Sequence, residues 1–329
     1  MALLVKPNEI REKLTYAGLI YGQPGLGKTT LALSAKNPVC IDTDKGMSRV
    51  EKRFQVPCLP VDNYGQIIEL LNSDELAPFD TIVIDTLGKL IDRIGDYVCN
   101  QNPKFRQGDG TLAMKGWGAV KIQFQNLLKL IQGKGKSVIF VAHEKEEKNA
   151  SGDGVKKRPD VAGSSGKDIV KELDWMGYME ARGGKRTICF APSEEYYAKN
   201  SAGLDSVMII PDTAHGNDFV KNELDGAIVK RRQNDAETLE MYEGLKTAID
   251  GKISACETAD DFNEVKGELE GMQEIWDSRF YWRSELAKAV KEKGIVFDKD
   301  AGKFVNPAKA EKSPKAPKAE KAAVKKDAE

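Results

Sequence analysis

The chain has 329 residues, 40% hydrophobic and 31% charged, with 50 basic against 51 acidic side chains and a formal net charge of -1. That length allows one large core domain plus a smaller appendage, and near-neutrality excludes whole-molecule attraction to a polyanion, leaving only local patches. Five scattered cysteines without a CxxC read as reduced thiols, and two histidines, His143 and His215, exclude a multi-histidine metal centre.

The opening MALLVKPNEIREKL lacks a long apolar run, so no signal peptide is expected. No stretch approaches the roughly 18 apolar residues of a membrane span, so a cytoplasmic protein without a membrane partner is expected. Residues 14–21 form a short apolar run that reads as a buried strand ending in a Gly-rich turn. Residues 28–36 read as a helix stopped before Pro38, and 39–42 as a second strand. TIVID at 81–85 is a third strand, 120–132 carries helical periodicity, and SVIFVA at 137–142 is a fourth strand. Apolar strands alternating with helices indicate a mainly parallel sheet covered on both faces, an α/β fold.

Beyond His143 the texture changes. Residues 144–167 are polar, glycine-rich and charged, reading as a long loop. Residues 174–182 and 185–191 flank Gly183-Gly184, a hairpin signal. The core pattern fades over 217–234, and 236–293 reads as helices. WDSRFYWR at 276–283 is either a DNA or partner surface or the aromatic packing of a helical bundle. The Lys/Ala/Pro-rich end, 308–329, is expected to be disordered, either a weak nucleic-acid tether or a solubilising tail. The expected divisions are a core over 1–234, a C-terminal helical region over 235–306 and a tail over 307–329.

GQPGLGKT, Gly22 to Thr29, matches G-x-x-x-x-G-K-S/T between a predicted strand and a predicted helix. Its glycines let successive backbone N–H groups wrap phosphates, and the helix N-terminus adds its dipole. The expected nucleotide contacts are Gly22, Gln23, Pro24, Gly25, Leu26, Gly27, Lys28, Thr29 and Thr30. Lys28 faces the β- and γ-phosphates of ATP, and the Thr29 hydroxyl binds Mg²⁺. Asp85 ends an apolar strand as a Walker B aspartate does, giving a second magnesium partner. Thr86 follows where many P-loop ATPases carry a glutamate, so the acid that orients the attacking water must come from elsewhere.

With GQPGLGKTT, CIDTDKG, TIVIDTLGKL and VIFVAHEKEE in that order, the sequence resembles the RecA-like superfamily. It is most similar to compact phage-encoded RecA-like ATP-binding proteins of single-strand annealing and recombination, over roughly residues 14–212. The resemblance implies a RecA-like P-loop core with a small C-terminal helical region. It implies a catalytic acid at the end of the strand next to the P-loop strand, here the 39–42 strand. Asp44 is then the base, and Asp42 finishes the strand. His143, at the tip of the fourth core strand, would sense the γ-phosphate. The loop after it would face single-stranded DNA through Lys156, Lys157 and Arg158, or stay a solvated loop, since Glu144, Glu146 and Glu147 share the stretch. Bases of a bare strand usually stack on aromatics, and Phe105 and Trp117 are candidates, Trp117 equally a core residue. Lys199 would complete a neighbouring subunit's ATP site or simply be exposed; the lysine-then-arginine pattern of the relatives is replaced by Asn200 and Ser201. Asp44 stands where a glutamate is usual, a shorter reach that implies slow hydrolysis.

The resemblance thus implies an ATPase with ATP and Mg²⁺ as ligands. Its implied partners are single-stranded DNA, further copies of itself as an oligomer or filament, and a single-strand DNA-binding protein, in the cytoplasm of a bacterial host. Two other readings share the ATP site: a protein-assembly switch of the helicase-loader kind, and a small-molecule kinase. The kinase is disfavoured because the 144–167 loop holds one arginine, Arg158, where a phosphoryl lid needs several.

Overall fold

The computed structural model describes residues 15–148, 154–162, 170–213 and 216–306. These form two compact units, one ending at Gln233 and the other beginning at Asn234. The first runs β1 (Ala17–Gly22), α1 (Lys28–Ala32), β2 (Pro38–Asp42), β3 (Cys58–Pro60), α2 (Tyr64–Asn72), β4 (Thr81–Asp85), α3 (Leu87–Gln101) and α4 (Met114–Gly133). It continues through β5 (Ser137–Lys148), β6 (Val155–Pro159), β7 (Trp175–Arg182), β8 (Lys185–Cys189), β9 (Lys199–Asn200) and β10 (Val207–Ile210).

The sheet order is β10-β8-β7-β1-β5-β4-β2-β3, with β6 paired to β5 and β9 to β7. From β3 through β7 neighbouring strands are parallel, and β8, β10, β6 and β9 join antiparallel. All six residues of β1 and all five of β4 are buried, as expected for strands covered on both faces. The period of two divides them between two cores. Leu19, Ile82, Ile84 and Phe140 pack with α3 and α4 residues such as Ile91 and Phe124. Ile20, Val83 and Ile139 pack on the other face with Trp175 and Phe190. Each such side chain, fully buried, contributes about 1.5–3 kcal/mol. Gly18 lies beside Trp175 in the β1–β7 register, and a Cβ on it would fall 2.1 Å from the indole ring. A residue larger than glycine there would displace the largest side chain of that core.

Helix starts follow local chemistry. Asn63 and Gln66 form a capping box at α2. The Thr86 hydroxyl caps α3, whose buried positions Leu87, Leu90, Ile91, Ile94 and Val98 recur at helical spacing.

In the second unit α5 (Gly226–Ser254, begun in the first unit), α6 (Ala259–Glu270) and α7 (Ser278–Glu292) are followed by the antiparallel pair β11 (Val296–Asp298) and β12 (Lys303–Val305). Ile249, Phe262, Leu269, Trp282 and Leu286 form its core. Within WDSRFYWR, Trp282 is buried while Trp276 and Phe280 are exposed. The bundle reading therefore holds for Trp282 alone of these three.

Several expectations need correcting. The helix expected over 28–36 stops at Ala32, because the next residues turn more tightly, with Ser34 N donating to Leu31 O at 3.0 Å and Ser34 Oγ to the same carbonyl at 2.6 Å. The strand expected over 137–142 runs on to Lys148 and pairs with β6, so much of the expected loop is a hairpin. Its register sets Glu146 opposite Lys157 and Glu147 opposite Lys156. A strand pair of such charged composition carries no hydropathy signal. Residues 217–234, where the pattern fades, hold a π-helical stretch (Val220–Asp225) and the start of α5. The expectation for 308–329 lies outside the described residues.

Candidate active site

The P-loop leaves β1 at Gly22, where a Cβ would sit 2.2 Å from the Met179 carbonyl. It re-enters structure at Gly27, which has φ +84 in the left-handed region that favours glycine. The loop thus turns on backbone that other residues would strain or block. Lys28 is buried, and its Nζ donates to the Gln23 carbonyl at 2.6 Å. Burial lowers its pKa, opposed by the charges of Asp85 and Glu144. A cleft of about 350 Å³ opens above the loop, lined by Pro24, Gly25, Gly27, Lys28, Thr29 and Thr30 of the expected phosphate contacts. Gly22, Gln23 and Leu26 are not among its lining residues.

Asp85 and Asp44 also line the cleft. Thr29 Oγ1 donates to Asp85 Oδ2 at 2.5 Å. Burial raises the Asp85 pKa, with Asp42 and Asp44 adding to the rise and the Thr29 bond opposing it. A desolvated carboxylate beside a hydroxyl, with two more acids near, is short of positive charge. Hard oxygen donors of this kind suit Mg²⁺, so Thr29 and Asp85 fit the ion the P-loop implies.

The acid supply needs one correction. β2 follows β1 in sequence, but β5 and β4 lie between them in the sheet. The end of β2 therefore adjoins the end of β4, not the P-loop strand. Backbone bonds stitch the two ends: Thr43 N and Asp44 N donate to the Asp85 carbonyl at 2.7 and 3.2 Å, and Thr43 Oγ1 donates to the Thr86 carbonyl at 3.0 Å. Asp42 turns back, its carboxylate accepting from Gly46 N at 2.9 Å and Met47 N at 2.8 Å. Asp44 instead faces the cleft, paired with Arg49 at 2.9 Å.

His143, opposite Gly22 in the β1–β5 register, is exposed and lines the same cleft. Beyond it the three cations expected to meet DNA have partners within the chain. Lys156 lies over the Tyr197 ring at 4.4 Å. Lys157 Nζ donates to Tyr178 OH at 3.0 Å, and Arg158 Nε is 3.6 Å from Glu147 Oε2. Lys199 is not a cleft residue; its Nζ donates to the Lys171 carbonyl at 2.8 Å. Phe105 and Trp117 pack partly buried against the core.

Two groups escape a motif reading. Arg49 lines the cleft although nothing in its neighbourhood marks it, five residues after Asp44. A polar network also ties the hairpin to the P-loop strand. Tyr21 OH donates to the Tyr197 carbonyl at 2.5 Å and lies 3.3 Å from the Lys157 carbonyl of β6, and Tyr178 OH donates to Glu144 Oε2 at 3.2 Å while accepting from Lys157. Its tyrosines, Tyr21 in β1 and Tyr178 in the middle of β7, read from sequence alone as core.

A P-loop, a strand-end aspartate at 2.5 Å from its threonine and a mainly parallel sheet define a P-loop nucleotide-binding protein. The AAA domain family profile matches residues 15–202, more than half the chain, and the protein belongs to that family of P-loop ATPases. It is also similar to the SPbeta prophage-derived uncharacterized protein YorG of Bacillus subtilis (strain 168), 24% identical over 291 residues, 84% of this chain and 85% of that one. Among the described residues no helix is long and apolar enough to cross a membrane.

Proposed function

We propose that the protein is a magnesium-dependent ATP hydrolase of RecA-like type, with single-stranded DNA as the ligand read by the face carrying the β5–β6 hairpin. The observation that supports it is convergence: the ends of β1, β4 and β5 and the turn after β2 bring the P-loop, Asp85, His143 and Asp44 to one cleft. Lys28 exchanges the Gln23 carbonyl for phosphate oxygens. Thr29 and Asp85 would hold Mg²⁺, which would supply positive charge against the phosphates. Asp44 orients the attacking water and takes its proton, a contribution of about 10²–10⁴ in rate. His143 contacts the γ-phosphate, and β5 carries its displacement into the hairpin, so that ATP and its products leave different hairpin states. Through this the protein promotes annealing or recombination, as an oligomer completed by Lys199 of a neighbouring copy.

A second reading, a nucleotide-dependent protein switch, is favoured by one observation: Lys156, Lys157 and Arg158 all engage partners within the chain. ATP turnover against single-stranded DNA concentration at two salt levels separates the two. The DNA reading predicts stimulation that weakens as salt rises, because phosphate contacts release counterions. Turnover that ignores DNA at low salt overturns it in favour of the switch.

A further inference from the structure

We propose that Arg49 is a γ-phosphate-reading residue held in reserve by Asp44, so that the proposed base is masked until a triphosphate enters. The inference rests on the reading of the cleft as an ATP site and adds to it a cation and a competition.

The turn after β2 is built around this pair. The Asp42 carboxylate, accepting from Gly46 N and Met47 N, closes the chain into the short 3-10 turn Met47–Arg49. The Arg49 guanidinium then folds back over Gly46, where a Cβ would lie 2.9 Å from Nη2, and reaches Asp44 Oδ2 at 2.9 Å. Asp44, Gly46 and Arg49 all line the cleft together with Lys28, Asp85 and His143. Lys28 is buried and tethered at the loop, so Arg49 is the second full cation among the lining residues. Its side chain is 69% exposed, free to swing on a flexible stem.

Two anions therefore compete for one guanidinium. A carboxylate offers a single charge in an exposed, solvent-screened pair. A terminal phosphate offers greater charge and several oxygens in the fork geometry that arginine matches. A γ-phosphate draws Arg49 from Asp44 and leaves the carboxylate free for water. ADP lacks that phosphate, and the pair re-forms after release. Arg49 thus distinguishes ATP from ADP, and the same movement arms the base only when there is a bond to hydrolyse.

The experiment is the binding of the β,γ-imido analogue of ATP and of ADP, each with Mg²⁺, to the full-length chain and its variants by calorimetry. Arg49→Ala is expected to lower the ratio of analogue to ADP affinity by about tenfold or more, and Arg49→Lys to restore part of it. Asp44→Asn is expected to raise that ratio roughly two- to fivefold by freeing Arg49. The double variant should match Arg49→Ala alone. If the Asp44→Asn gain persists without Arg49, the gain is plain relief of repulsion and the competition is refuted. An unchanged ratio in Arg49→Ala refutes the phosphate role. Wild-type binding abolished by Lys28→Ala, with no effect of Arg49, leaves the ATP site standing and removes only this inference. A wild-type chain that binds neither nucleotide overturns both.

Discussion

Asp225 offers a test of how the P-loop strand is braced. Tyr16, just ahead of β1, donates its hydroxyl to Asp225 Oδ1 at 2.5 Å, and the same segment holds α1 and the turn after it through Asn217 Nδ2 on the Thr30 carbonyl and Val220 N on Ser34 Oγ. Burial raises the Asp225 pKa from its ordinary 3.8 to about 6, against the bond from Tyr16 and the charge of Lys36, with Asp80 adding to the rise. A carboxyl raised on folding keeps a proton that the unfolded chain has released. Its contribution is therefore full below about pH 4 and is lost as pH climbs through about 6. A rise of about 2 pH units at 1.36 kcal/mol each gives a ceiling of about 3 kcal/mol, and solvent at its part-exposed edge brings this to roughly 1–2 kcal/mol. Asp225→Asn keeps an oxygen for Tyr16 and cannot ionise. Thermal unfolding of both chains from pH 4 to 7.5 should show wild type losing ground to the variant as pH rises, by roughly 2–4 °C per kcal/mol. A flat difference, or wild type gaining with pH, refutes the reasoning, the latter because it would mean a stabilising ion pair with Lys36.

Gly18→Ala should cost about 3 kcal/mol or more in denaturant unfolding, since the new methyl meets the Trp175 ring; a change under about 1 kcal/mol would show that the ring moves aside freely. Asp42→Ala should cost about 2 kcal/mol by orphaning Gly46 N and Met47 N, and a variant as stable as wild type would remove Asp42 from the turn. Tyr178→Phe removes a hydroxyl that accepts from Lys157 and donates to Glu144, so hydrogen exchange of β6 amides should quicken severalfold for a loss of about 1 kcal/mol; unchanged exchange would deny the network a bracing role.

What was legible in the sequence follows from the kind of signal each element carries. β1, β4 and the core of β5 were readable because burial on both faces leaves an unbroken apolar run. The β7–β8 hairpin was readable from Gly183-Gly184. The outer half of β5 and β6 were not, because both stretches are polar and charged and leave no hydropathy signal. β3 and β10 are short edge strands with exposed positions, such as Val207 and Ile209, that alternate too briefly to register. At the site the P-loop and Asp85 were legible because fixed spacing carries their chemistry. Arg49 was not, because it reaches Asp44 only when Asp42 closes the turn, a fact of three dimensions. Nor could sequence order show that β2 borders β4 rather than β1.

In the proposed mechanism this cleft hydrolyses ATP with Asp44 handling the water. Single-turnover hydrolysis and nucleotide binding of Asp44→Asn, measured side by side, test it most directly. Binding is expected to persist while the hydrolysis rate falls by about 10²–10⁴. A variant that binds ATP and hydrolyses it at the wild-type rate would contradict the claim.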